Sequence, residues 1–208
     1  SEAEVDLFQF PILKCWPLDG GKYITLPLVI TRDPETGVQN YGIYRLQVYD
    51  ARTTGMHWQT HKVGASHYRA NQGRGDARME VAVALGGDPA TIWTGSAPLP
   101  PGLDEMALAG GMRGAPVQLA PCGTVDIPFI ANSEIVLEAE ILPTGWTKPE
   151  GRFGEFTRLM GGLHWNPHVR IKAVRMRPDP VYYALHMPWE NIWPSGPIYE
   201  SAVRRVLH

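Results

Sequence analysis

Apolar and polar positions alternate with a period of two along much of the chain, which predicts β-strands. The clearest case is 134–141. There Ile135, Leu137, Ala139 and Ile141 alternate with Glu134, Val136, Glu138 and Glu140, predicting one buried face and one mostly wet face. Further strands are predicted over 22–32, 41–50, 79–86, 168–177 and 180–188. Helical spacing is scarcer. Helices are predicted over about 64–72, over 88–94 with Asp88 as cap and Pro89 in first position, over 103–113, and over 197–207. Twenty-two Gly and 19 Pro cut the chain into short segments, with no internal repeat and no low-complexity linker. Short strands between Gly/Pro turns predict a mainly β domain. The architecture expected is a barrel or a closed, strongly bent sheet rather than a doubly wound fold.

The chain has 208 residues, enough for one large domain with a sizeable core, and 44% of them are hydrophobic. Nineteen Lys and Arg against 21 Asp and Glu give a formal charge of −2. No basic cluster interleaved with aromatics is present, so no nucleic-acid partner is expected. The longest apolar runs, such as LPLVI at 26–30, are far shorter than a membrane span requires, and the acidic start SEAEVD is unlike a signal peptide. A soluble, cytoplasmic protein is expected. Cys15 and Cys122 are too few for a disulfide scaffold and do not form a paired metal motif, so they read as buried free thiols.

Several polar residues stand out from this background. The strand QNYGIYRLQVYD (39–50) carries Asn40 at its start and, in its middle, Arg45 among Ile43, Leu46 and Val48. His57 and His61 flank a tryptophan in MHWQTH. On a strand, positions four apart share a face, so the pair would enter one pocket, as metal ligands or as ordinary hydrogen-bonding histidines. Glu105 follows a Pro-rich loop into a helix of small residues, where a carboxylate caps the helix or meets a cation. In PEGRFGEF (149–156), Glu150 and Glu155 are separated by Gly151 and Gly154, a spacing that suits either a tight loop bringing both acids together or a solvated turn.

In order, the stretches WPLDGGKYITLPLVITRDPETGVQNYGIYRLQVYD, MHWQTHK, VAVALGGDPATIWTGSAPLPPGLDEMALAGGMRG, SEIVLEAEI and PEGRFGE resemble the UbiD family of prenylated-FMN-dependent decarboxylases, from about residue 20 to residue 156. The resemblance implies a split β-barrel flavin-binding domain with short peripheral helices. It implies that Asn40, His61 and Glu105 hold a divalent metal, Mn²⁺ or Mg²⁺, at the flavin phosphate. Such an oxygen and imidazole donor set suits these ions. A K⁺ ion is also associated with this site in the family. Of the two histidines, the match places His61 and not His57 at the metal. Backbone groups at Ile43, Tyr44, Ser96, Ala97 and Pro98, together with Arg45, complete the implied cofactor contacts. Arg45 would stand between Glu150 and Glu155, its planar fork holding one carboxylate on each side. Glu155 would then donate the proton that replaces CO₂ on an aromatic or α,β-unsaturated acid, in a reaction that many members also run in reverse as a carboxylation.

The chain departs from the family's pattern in two ways. Arg152 stands where proline is common and would favour a substrate with a second anionic group, unless it is a plain surface arginine; Arg158 and Leu159 replace a common Gly-Tyr pair. The family also continues into a C-terminal domain that supplies a lysine and the main dimer contact. Residues 1–208 are therefore expected to be the flavin-binding part of a larger enzyme, with about 195–208 a linker or docking helix, completed by a further domain or a partner subunit and homo-oligomeric when complete. The alternative is a non-catalytic flavin-binding or assembly subunit of a multi-subunit carboxylase. MPWENIWPSGP, with Trp189 and Trp193, reads either as an interaction surface or as core.

Overall fold

The structure is a computed structural model and describes residues 2–75, 78–100, 102–187 and 189–207. Ten strands form: β1 (Tyr23–Ile24), β2 (Leu28–Arg32), β3 (Gln39–Ile43), β4 (Leu46–Val48), β5 (Thr53–Met56), β6 (Met79–Leu85), β7 (Leu119–Pro121), β8 (Pro128–Ile130), β9 (Ile135–Glu150) and β10 (His164–Met176). Four helices accompany them: α1 (Val63–Gly73), α2 (Pro89–Thr94), α3 (Glu105–Arg113) and α4 (Trp189–Leu207). Eight strands pair antiparallel in the order β1-β4-β5-β10-β9-β6-β2-β3, and β7 and β8 form a separate two-stranded ribbon.

The order of the strands explains the shape. β1 and β4 lie at one edge of the sheet, β2 and β3 at the other, yet β1 leads into β2 across only residues 25–27 and β3 leads into β4 across only Tyr44 and Arg45. Two or three residues span about 10 Å. The sheet must therefore curl until its edges nearly meet, which makes it the expected split barrel. Both predicted long strands, 22–32 and 41–50, break at this split. In the first, Pro27 has no N–H to give to a ladder. In the second, Tyr44 and Arg45 keep strand-like composition but leave one edge for the other.

The main core fills the curl with Ile24, Val29, Leu46, Val83, Leu137, Ile141, Val169 and Ile171, joined by Leu7, Phe10 and Ile12 from the N-terminal segment. A second core lies on the outer face of β2 and β6, where Leu28, Ile30, Ala82 and Ala84 meet Met106 of α3 and Val125, Ile127 and Ile130. That face is covered, so β2 and β6 read as almost continuously apolar.

Three expectations are corrected. The glutamate face of β9 is not wet: Glu138 and Glu140 are buried. Glu138 accepts bonds from the amides of Gly123 and Thr124 in the loop before β8 and pairs with Arg175, while Glu140 pairs with Arg78 and Arg170. Buried carboxylates persist when paired in this way. Residues 180–187 form no strand, the last residue of that expected strand, Pro188, lying outside the described residues: the Val181 N–H donates to Glu134 and the Leu185 N–H to Thr25 at 2.9 Å rather than to a ladder. Lastly, α4 begins at Trp189, ahead of the expected start at 197, and includes Pro194 and Pro197. On it Trp193 is 78% exposed and thus no part of the core, while the side chains of Trp189 and Ile198 lie outside the described residues.

Between β9 and β10 the chain turns back over the N-terminal segment. Gly151 N–H donates to Gln47, the Tyr23 hydroxyl donates to the carbonyl of Gly151, and Gly154 N–H donates to Asp19. A Cβ on Gly20 would lie 2.4 Å from the Cα of Gly151, a distance no side chain tolerates against backbone. Gly151→Ala is expected to cost about 2 kcal/mol or more in urea unfolding, whereas Gly111→Ala, on an open face of α3, should be neutral or stabilise by about 0.5–1 kcal/mol.

Candidate functional site

A cavity of about 910 Å³ opens beside β3, α1 and the loop from Gly95 to Glu105. Asn40, Ile43, Tyr44, His61, Ser96, Ala97, Pro98 and Glu105 all line it. Local structure sets each one. The Ile43 amide donates to the carbonyl of Gly95, fastening the end of β3 to the loop after α2. Buried Asn40 donates through Nδ2 to the Tyr44 hydroxyl at 3.3 Å, which leaves its amide oxygen for another partner. Asp104, not Glu105, caps α3, accepting from the Met106 amide at 2.6 Å. Glu105 is thus released from the capping role and enters the cavity wall, where burial raises its carboxyl despite contacts with its own amide and that of Tyr41. A cation there would favour its ionised form. Buried His67, held by Thr31 at 3.0 Å, also lines this cavity, although the sequence reading passed it over as an ordinary helix residue.

Asn40, His61 and Glu105 offer an amide oxygen, an imidazole nitrogen and a carboxylate, a donor set that fits Mn²⁺ or Mg²⁺. Among the described residues no three His, Cys, Asp or Glu side chains converge as a metal cluster.

A second cavity, about 290 Å³, shares Ile43, Tyr44 and Lys62 with the first. Arg45 and Glu155 line it, with Thr25, His57, Phe153, Phe156, Leu185 and Met187 around them. Arg45 extends from the split and forks between two carboxylates: Nε to Glu150 Oε1 at 2.8 Å and Nη1 to Glu155 Oε1 at 2.8 Å. Its guanidinium lies 4.4 Å from the centre of the Phe153 ring, which packs in turn on Tyr23. Glu150, the last residue of β9, is fully buried, and Glu155 is 34% exposed.

His57 and His61 do not share a pocket. β5 ends at Met56, so the alternation assumed for a strand stops there; His57 turns to Glu150, with Nδ1 at 2.6 Å from Oε2, and His61 turns to the large cavity. His57 thus takes the hydrogen-bonding alternative, and nothing in the spacing of MHWQTH reveals that its partner lies 93 residues away. Arg152 is exposed and lines neither cavity, so the structure gives no support to its predicted role with substrate.

Burial alone would raise the Glu150 carboxyl, but hydrogen bonds from His57 and Arg45 and the Arg45 charge hold it down at about 2. A depressed carboxyl stabilises the fold above its unfolded value near 4.5 and loses that contribution as pH falls towards 2. Glu150→Gln is expected to be less stable by about 3 kcal/mol at neutral pH. The gap should narrow from about pH 4.5 down to about 2, as read by urea unfolding at a series of pH values. A gap independent of pH would contradict the assignment.

The 3-octaprenyl-4-hydroxybenzoate carboxy-lyase Rift-related domain (UbiD) family model matches residues 1–188. An uncharacterized protein of Archaeoglobus fulgidus is 45% identical over 190 residues, covering 90% of this chain and 39% of its own length. The structure of the UbiD-class enzyme HmfF from Pelotomaculum thermopropionicum in complex with FMN superposes with a TM-score of 0.92 at 32% identity, over 98% of this chain and 46% of that one; an evolved dimeric form of HmfF was solved in complex with prFMN. The closed form of vanillic acid decarboxylase from Sedimentibacter hydroxybenzoicus gives 0.85 at 28% identity, over 92% and 42%. The chain spans less than half the length of these relatives. Among the described residues no helix is long and apolar enough to cross a membrane. With the family model covering nearly its whole length and the decarboxylase structures following its fold, the chain belongs to the UbiD family.

Proposed function

We propose that this chain is the flavin-binding part of a prenylated-FMN-dependent carboxy-lyase that decarboxylates an aromatic or α,β-unsaturated carboxylic acid and, with CO₂ in excess, carboxylates in reverse. One observation carries the reading: Arg45 and Glu155, with Glu150 bonded to Arg45 behind them, face a small cavity that shares a wall with the large cavity lined by Asn40, His61, Ser96, Ala97, Pro98 and Glu105. The FMN and prFMN held by HmfF support the cofactor, and the vanillic acid decarboxylase supports the substrate class.

In this reading the large cavity takes the flavin, a ligand class its volume suits. Asn40, His61 and Glu105 would hold Mn²⁺ or Mg²⁺, which would neutralise the charge of the flavin's phosphate, with K⁺ as a further candidate. The bound cofactor supplies an electron sink for the pair released when the bond to CO₂ breaks. Phe153, Leu185 and Met187 give the small cavity an apolar wall against which an unsaturated acid can lie, and they limit the water beside it. Arg45 holds Glu155 at the cavity wall, and Glu155 gives its proton to the carbon that CO₂ has left, then regains one from solvent. The rest of the enzyme, as a further domain or partner subunit, closes the site beyond about residue 195.

The test is co-expression with a flavin prenyltransferase and manganese, followed by absorption spectra, metal analysis and mass spectrometry of the released small molecule. Wild type should carry prenylated flavin and metal, and Glu105→Gln should lose both. Glu155→Gln should keep the flavin but lose turnover by about 10²-fold or more. If the folded chain, extended to the full length of its relatives, still carries no flavin, the reading fails. Flavin bound with turnover indifferent to Glu155 would instead mark a carrier or assembly subunit.

A further inference from the structure

We propose that His57 is a positioning residue that makes the two glutamates unequal: with Arg45 it occupies both oxygens of Glu150, leaving Glu155 as the acid that exchanges protons with the small cavity. The geometry is independent of the decarboxylase reading; only its catalytic consequence rests on that reading.

The ladder between β4 and β5 places Leu46 opposite Met56, and the next step along joins the His57 amide to the Arg45 carbonyl at 3.0 Å. The two side chains thus leave neighbouring strands side by side. On the far side β10 starts with His164 in register with Glu150, and the His164 ring meets the His57 ring edge-on at 5.2 Å. The His57 ring is held between them.

Chemistry fixes which proton His57 carries. Its Nδ1 lies 2.6 Å from Glu150 Oε2 and 3.2 Å from Arg45 Nη2. Arg45 only donates and an ionised carboxylate only accepts, so Nδ1 bears hydrogen and gives it to Glu150. Glu150 then receives Arg45 Nε at Oε1 and both His57 Nδ1 and Arg45 Nη2 at Oε2. A carboxylate with each oxygen bonded to a donor resists protonation. Glu155 receives Arg45 at Oε1 alone among the described residues and stands a third exposed on the cavity wall.

The other titratable groups near Glu150 do not take this place. The Tyr23 hydroxyl bonds the carbonyls of Gly151 and Arg152, and the Tyr49 hydroxyl bonds that of Pro149. His164 contacts the His57 ring and not the carboxylate. Lys62 lines the small cavity, which Glu150 does not. His57 is therefore the group whose loss removes the shortest of the bonds to Glu150 and leaves Glu150 Oε2 with the 3.2 Å contact from Arg45 Nη2 alone.

The experiment follows glutamate side-chain carboxyl carbons by NMR through an acid titration of the chain without flavin or substrate, with Glu150 and Glu155 assigned from their Gln variants. His57→Leu should raise the Glu150 midpoint by at least one pH unit. His57→Asn, which keeps an N–H donor near the Nδ1 position, should hold it within about half a unit of wild type. His57→Gln, whose donor is displaced outwards, gives the same contrast with Asn if the leucine variant does not fold. A Glu150 midpoint unmoved in the folded Leu or Gln variant, or moved equally in the Asn variant, overturns the proposal. In flavin-loaded enzyme His57→Leu should lower kcat more than it changes KM and add a second ionisation to the pH profile, with Asn restoring both. Because the titration needs no cofactor, its outcome is separate from whether the chain proves to be a decarboxylase.

Discussion

The site depends on a guanidinium held almost out of water. Arg45 is 13% exposed, and burial alone would discourage its charge. Its retention rests on two carboxylates and the Phe153 ring, which together replace the water it has lost. The backbone around it serves this one contact. The split requires the chain to cross from β3 to β4 in two residues and so sends Arg45 across the barrel opening. The long β9 ends on Glu150, and the close approach of Gly20 to Gly151 fixes the loop that returns Glu155 to the other side of the fork.

The same crossing separates two environments. Tyr44, the other residue of the crossing, is buried against Trp58 and bonds Asn40 and the amide of Gly64, so it belongs to the large cavity and α1. Adjacent residues on an extended chain point to opposite sides, so one two-residue link supplies polar groups to both cavities. Ile43, Tyr44 and Lys62 form the shared wall. The two cavities thus lie next to each other, with Arg45 and Glu155 bordering only the smaller one.

Much of this was legible in the sequence, and the limits have physical causes. β6, β9 and the first three helices were readable because period, capping Asp88 and turn residues are local signals. The split was not, because crossing from edge to edge changes no side-chain pattern. Burial of Glu138 and Glu140 was missed because alternation reports which face a residue takes, not whether a later loop and distant arginines cover it. Arg45, Glu150 and Glu155 were selected as odd polar residues and by family resemblance, and the structure brings them together; the shared pocket expected for His57 and His61 failed because β5 ends before His57, whose partner only β9 could deliver.

Stability alone does not account for the cluster. Replacing a buried ion pair by well-packed apolar residues is often neutral or stabilising, while removing one member leaves a costly unpaired charge. Arg45, with Phe153 beneath it and an apolar core behind, occupies a position where a hydrophobic residue would pack without any desolvation cost. Glu150 contributes little beyond holding that charge, since it faces neither cavity. What an apolar replacement could not do is hold Glu155 at the edge of the small cavity with one oxygen fixed. The cluster is therefore best understood as a support for that single carboxylate, with the fold bearing a buried cation to keep one acid in place.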